Sequence, residues 1–200
     1  MIKAICFDLD GVFFTKEGMA SFKRKIAGFG VPDGERDFVL FGEPMLAFKR
    51  DELTEGEYWA LAIERWGIDR TQEELITLLG AGYDVDSAVM GVVETARKRG
   101  YKTCICSNNF RSRIRVLQER FGFLKYFDVA IFSYEVGVTK PDKRIFEELV
   151  HRAAVQPEEL VYSDDSEEKL RGALELGINA FVYEDFEQFK EKLISLGVNL

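Results

Sequence analysis

The sequence predicts an α/β protein, a parallel β-sheet with helices on both faces and a helical segment inserted near its start. Three observations lead there. From about residue 86 to the end, short apolar runs alternate with stretches of helical periodicity, the pattern of strands joined by crossover helices. From about 15 to 83 helical periodicity continues with no strand-like run between the helices. Polar residues able to do chemistry cluster just after the apolar runs, where open parallel sheets carry their ligand sites.

In chain order, the first expected strand is 3–7, an apolar run that ends at Asp8 and Asp10. The inserted segment follows. Thr54-Glu55-Gly56-Glu57 and Thr71-Gln72-Glu73-Glu74 both fit the capping box, in which a threonine side chain and a glutamate three residues on satisfy orphan amides reciprocally, so helices should begin near Glu55 and Gln72. Tyr58, Leu61 and Ala62 recur at helical spacing, which assigns Tyr58, Trp59 and Trp66 to packing within the insertion. Gly28-Phe29-Gly30-Val31-Pro32-Asp33-Gly34 misplaces the last glycine of a nucleotide-binding fingerprint and contains a proline, and so reads as a loop. Gly80-Ala81-Gly82 is the expected return hinge. The remaining strands are expected at 102–106, 129–133, 160–162 and 180–183. Between them Phe110, Ile114, Leu117 and Phe121, then Ile145, Phe146, Leu149, Val150 and Ala153, and finally Phe186, Phe189 and Leu193 mark helices.

The chain has 200 residues, 46% of them hydrophobic and 31% charged, enough for one domain carrying a modest insertion. A core over 1–14 and 84–200 with a helical subdomain over 15–83 is the expected division. No run approaches the roughly 18 apolar residues of a membrane span, and the first apolar run meets Asp8 too soon for a signal peptide, so a cytoplasmic protein without membrane partners is expected. A net charge of −8 argues against a nucleic-acid partner. The only histidine, His151, lies on an amphipathic helix, which disfavours histidine-rich zinc sites and Ser-His-Asp triads. Cys6, Cys104 and Cys106 read as reduced thiols of buried strands.

Four polar clusters stand at four strand ends: Asp8 with Asp10, Ser107 with Asn108, Lys140 beyond the third strand, and Asp164 with Asp165. Alone, Asp-x-Asp-Gly is also an ordinary turn sequence, and a lone lysine is usually solvated. Together they converge on one crevice. Carboxylates gathered there resist ionisation unless a cation holds them, and an all-oxygen ligand set suits Mg²⁺, which favours carboxylates plus a substrate phosphate. Lys140, Ser107 and the amides of the following helix start suit a phosphoryl anion. Arg111, Arg113 and Arg115 at the start of that helix oppose its dipole and read first as a solvated face, with a nearby anion as the alternative, and Lys16, Lys49 and Arg50 are secondary candidates for substrate contact.

These motifs resemble the haloacid dehalogenase-like hydrolases, in the form with a helical cap after the first motif. Phe7-Asp8-Leu9-Asp10-Gly11-Val12 is similar to the first motif, Cys106-Ser107-Asn108 to the second, Gly137-Val138-Thr139-Lys140-Pro141-Asp142 to the third and Val161-Tyr162-Ser163-Asp164-Asp165 to the fourth. The resemblance implies a three-layer Rossmann-like core. It further implies that Asp8 attacks phosphorus, and that Asp10 protonates the leaving oxygen and then activates water. Mg²⁺ would be held by Asp8, the Asp10 carbonyl and Asp165 with Asp164 behind, although motif alone does not separate the last two. Lys140 would screen the nucleophile, and Ser107 and Asn108 would bind phosphoryl oxygens. Members that cleave carbon–halogen bonds have a non-acidic residue at the position of Asp10, which favours phosphomonoester hydrolysis of a small phosphorylated metabolite; a monomer or homodimer is expected. A phosphosugar mutase and a non-catalytic binding protein are the alternatives. Two departures from the family pattern stand out: Phe13-Phe14 where the cap begins, and Lys169 where asparagine is more usual.

Overall fold

The computed structural model describes residues 1–199. Its centre is a five-stranded sheet, β1 (Ala4–Phe7), β2 (Lys102–Ser107), β3 (Val129–Phe132), β4 (Leu160–Asp164) and β5 (Asn179–Val182), in the order β3-β2-β1-β4-β5. Every neighbouring pair is parallel, with Cys6 opposite both Cys104 and Tyr162. The helices are α1 (Glu17–Ala27), α2 (Asp33–Phe41), α3 (Glu43–Lys49), α4 (Glu55–Trp66), α5 (Gln72–Gly80), α6 (Ser87–Lys98), α7 (Arg111–Phe121), α8 (Ser133–Val136), α9 (Lys143–Ala153), α10 (Arg171–Glu175) and α11 (Phe186–Ser195).

The strands alternate in what they bury, which produces the layers. Ile5 and Phe7 of β1 face one way and join Val89 and Val93 of α6 and Phe189 and Leu193 of α11. Ala4 and Cys6 face the other way and join Cys104, Cys106 and Ile131 against Ile145, Phe146 and Leu149 of α9. All three cysteines are buried and unpaired, and burial raises their thiol pKa values, so they act as small apolar core residues. Among the described residues no helix is long and apolar enough to cross a membrane.

Five helices lie between β1 and α6. Both threonine capping boxes form: Thr54 accepts from the Glu57 amide and Thr71 from that of Glu74, and each glutamate accepts from its threonine's amide in return. Tyr58 and Trp59 are buried, with Tyr58 stacked on Phe48 at a centroid distance of 4.4 Å. The segment 28–32 is a connection between α1 and α2.

Outgoing and incoming chains pair where the Thr15 amide donates to Asp84 O and that of Asp86 to Phe13 O, both at 2.9 Å. Gly80 and Gly82 lie just before this crossing and make room for neighbours. A Cβ at 80 would stand 2.8 Å from Val116 of α7, and one at 82 would stand 2.6 Å from Ser21 of α1.

Candidate active site

β1 is the central strand, and its carboxyl end delivers Asp8 into the crevice. The chain then turns tightly: the Leu9 amide donates to Asp8 Oδ1 at 2.8 Å, and that of Phe14 to Leu9 O at 2.7 Å. Gly11 sits inside this turn at φ +76°, and a Cβ there would meet Asp165 Oδ2 at 2.6 Å. Only glycine both adopts that backbone and lets the loop after β1 close onto the carboxylate beyond β4.

Asp164 ends β4 rather than following it, a correction to the expected strand at 160–162. Pairing with β5 carries the ladder two residues further, since Tyr183 N donates to Asp164 O at 2.8 Å. The strand can accept a fully buried carboxylate there because Lys140 Nζ lies 2.5 Å from Asp164 Oδ2. The same ammonium lies 3.0 Å from Asp8 Oδ1 and donates to Cys106 O at 3.0 Å and Tyr162 Oη at 2.7 Å. Tyr162 in turn donates to Asp164. The usual solvated fate of a lysine therefore does not apply to Lys140, whose side chain is wholly buried.

The electrostatics follow from this packing. Burial disfavours the Lys140 ammonium, but Asp164 and Asp8 outweigh that and hold it charged far up the pH scale. Burial raises the Asp8 carboxyl above the ordinary aspartate range and Asp164 adds to this, against the pull of Lys140 and Lys169. Asp164, also buried, is nevertheless held low by Lys140 and Lys169. Asp8, Asp164 and Asp165 each offer an oxygen, the three lying within 4.8 Å of one another. This hard, anionic donor set fits a divalent cation of the magnesium type.

Ser107 ends β2, buried, with Asn109 Nδ2 3.5 Å from its hydroxyl. Asn108 is committed to the main chain of Lys140, accepting from its amide at 2.7 Å and donating to its carbonyl at 3.1 Å. This clamp fixes the third motif to the second.

Residues 2–177 match the family model described as haloacid dehalogenase-like hydrolase. The chain belongs to the haloacid dehalogenase-like hydrolase family. Among its relatives, a glyceraldehyde 3-phosphate phosphatase of Methanopyrus kandleri is 26% identical over 191 residues, covering 89% of this chain and 82% of the relative. A pyrimidine 5′-nucleotidase of Escherichia coli is 26% identical over 187 residues, covering 87% and 82%. A haloacid dehalogenase-family enzyme of Bacteroides thetaiotaomicron, solved as a magnesium complex, superimposes with a TM-score of 0.81 at 21% identity, covering 94% of this chain and 98% of that one. That likeness concerns the fold, a three-layer α/β core with a parallel sheet.

In the crevice of this haloacid dehalogenase-like chain, Arg113 has an anion beside it, and Asn109, which the sequence did not single out, orients it. Arg113 is not part of a solvated face: its side chain is 1% exposed, and Nη1 lies 2.9 Å from Asp10 Oδ2. Asn109 accepts from Arg113 Nε at 2.6 Å, and Tyr83 Oη accepts from Nη1 at 3.0 Å. The Asn109-to-Arg113 spacing is the i, i+4 step of a helix turn, a signal that could have paired them. Phe14 packs edge-on to Tyr83 at 5.8 Å, so the aromatic departure after the first motif supports Arg113 from behind. Asp10 is thereby gripped through one oxygen, while its buried Oδ1 has no protein partner.

Arg111 and Arg115 behave as surface residues, pairing with Asp51 at 3.2 Å and Glu55 at 3.5 Å. Arg50 is spent on Glu43 and Glu52, and Lys16 is exposed. Lys49, at the end of α3, is half-buried and has no salt-bridge partner among the described residues. Burial and the fields of Arg113 and Lys169 push its ammonium down to about 8, with Asp10 and Asp8 opposing.

Proposed function

We propose that this chain is a Mg²⁺-dependent phosphatase that hydrolyses a small phosphorylated metabolite through an aspartyl-phosphate on Asp8. One observation carries the reading. Asp8, braced by Lys140 at 3.0 Å, shares a crevice with two further carboxylates and with Asp10, whose Oδ1 is left free. A halide leaving group needs no acid, whereas an alkoxide does, and Asp10 is placed to serve as one. The phosphatase and nucleotidase among the relatives point the same way.

In the proposed mechanism, Asp8 attacks phosphorus while Asp10 gives its proton to the leaving oxygen. Asp10 then takes a proton from the water that attacks the phosphorus of the aspartyl-phosphate, which regenerates Asp8 and releases phosphate. Arg113 holds the Asp10 carboxylate through Oδ2 and leaves Oδ1 to exchange the proton. Lys140 and the Ser107 hydroxyl face the transferring group, and Asn108 fixes Lys140 by clamping its peptide. Mg²⁺, held by Asp8, Asp165 and the Asp10 carbonyl with Asp164 behind, would supply charge neutralisation and orientation of the phosphoryl oxygens. The helices over 15–83 form a cap that covers the crevice, and Lys49 is its substrate-facing cation. We place the protein in the cytoplasm, as a monomer or homodimer.

The test is phosphate release from a panel of sugar phosphates, nucleotides and an aryl phosphate, with Mg²⁺ and with chelator. Release that needs the metal and falls about 10³-fold or more in Asp8→Asn is expected. Full activity in that variant would defeat the mechanism. Isomerised sugar phosphate without net release would indicate the mutase instead.

A further inference from the structure

Lys169 stands where the family pattern has a neutral amide, and its position is specific. Its ammonium lies 3.1 Å from Asp165 Oδ1, 3.2 Å from Asp164 Oδ1 and 3.6 Å from Asp8 Oδ2, the same three carboxylates that form the candidate cation site. The 3-10 turn Glu167–Leu170 holds it there: Ser166 N donates to Asp164 Oδ1 at 3.0 Å, Lys169 N to Ser166 O at 3.2 Å, and Leu170 is buried in the core beside α9. The two lysines divide the oxygens between them. Lys140 takes Asp8 Oδ1 and Asp164 Oδ2 from the buried side, and Lys169 takes the opposite oxygens from the solvent side, with its side chain 31% exposed.

The charges of the crevice are therefore already matched. Asp8, Asp10, Asp164 and Asp165 are paired with Lys140, Lys169 and Arg113. A divalent cation entering this set must displace an ammonium from its ligands and turns the crevice net positive. A phosphoryl dianion cancels the charge the cation adds and offers the displaced ammonium a new partner.

We propose that Lys169 is a tethered competitor for the divalent-cation site, so that the free protein binds the metal weakly and takes up metal and phosphoryl anion as a pair. This rests on the metal site of the proposed function. By linkage, whatever factor the anion adds to metal affinity the metal adds to anion affinity. Lys169 is thus a positioning residue that sets the order of assembly.

Mn²⁺ binding to the full-length chain, read by electron paramagnetic resonance of the free ion, tests this without turnover. In the wild type, saturating inorganic phosphate should tighten Mn²⁺ binding at least tenfold. Lys169→Gln and Lys169→Asn should bind Mn²⁺ at least tenfold more tightly than wild type without phosphate and respond several-fold less to its addition, while Lys169→Arg should behave like wild type. Circular dichroism confirms that each variant is folded. Equal Mn²⁺ affinity in wild type and the neutral variants overturns the role of Lys169 and leaves the metal site standing, as does a wild-type affinity indifferent to phosphate. No Mn²⁺ binding by any variant, with or without phosphate, overturns the metal site and this inference together.

Discussion

Asp10 and Lys49 are the residues whose surroundings make the sharpest demands. Asp10 is useful only if one oxygen is held and the other free, and Arg113 does the holding from a fully buried position. Arg113→Met should lower kcat by about 10²-fold or more and destabilise the fold by roughly 3 kcal/mol, because the partners of a buried guanidinium are left unsatisfied. Steady-state kinetics and chemical denaturation measure the two effects separately. Lys49 carries the opposite tension. Burial and the fields of Arg113 and Lys169 outweigh those of Asp10 and Asp8, and its ammonium is pushed down to about 8 in the folded chain, well below the usual lysine range. The unfolded chain keeps that proton to higher pH, so the folded state gains stability as pH rises above about 8. Lys49→Met should therefore be more stable than wild type at pH 7, by about 2–4 °C in Tm for each 1 kcal/mol relieved. The difference should shrink as pH climbs past 8, and KM for the phosphorylated substrate should rise in the variant. A variant less stable than wild type at pH 7 would contradict this account of Lys49.

At the scale of elements, the readable parts were those governed by local rules. Both capping boxes, the alternation of apolar runs and the helical stripes each depend on residues close in sequence, and the strands and the starts of α4 and α5 lie within a residue or two of expectation. Thr54→Ala removes a cap whose hydroxyl accepts from the Glu57 amide, and should cost about 1 kcal/mol in denaturant unfolding with phosphatase turnover unchanged. What escaped reading depends on partners far away in the chain. The end of β4 is decided by β5 and by Lys140, and the burial of Arg113 by Tyr83 and Asp10. Lys140 was legible as a site residue from its motif, but its full burial between two carboxylates was not. Nor does sequence spacing disclose that Asn108 clamps a peptide while its neighbour Asn109 orients an arginine. Gly11→Ala combines a positive φ with a 2.6 Å approach to Asp165, and should weaken Mn²⁺ binding more than it perturbs helix content.

The whole molecule is acidic, with a net charge of −8, yet its crevice gathers Lys140, Lys169 and Arg113 around four carboxylates. That contrast separates the crevice from the rest of the surface and suits an anionic small molecule more than a nucleic-acid backbone. The sheet topology produces it by bringing β1, β2 and β4 side by side, so that residues from both ends of the chain meet at one edge. The central claim is that this edge transfers a phosphoryl group to Asp8. Rapid acid quench of turnover of an aryl phosphate, whose leaving group departs without an acid, followed by mass spectrometry of the peptides, examines it most directly, with Asp10→Asn used to slow breakdown of the intermediate. A phosphoryl adduct on the Asp8 peptide, absent in Asp8→Asn, is the predicted result. An adduct on another residue, or phosphate release undiminished in Asp8→Asn, would contradict it.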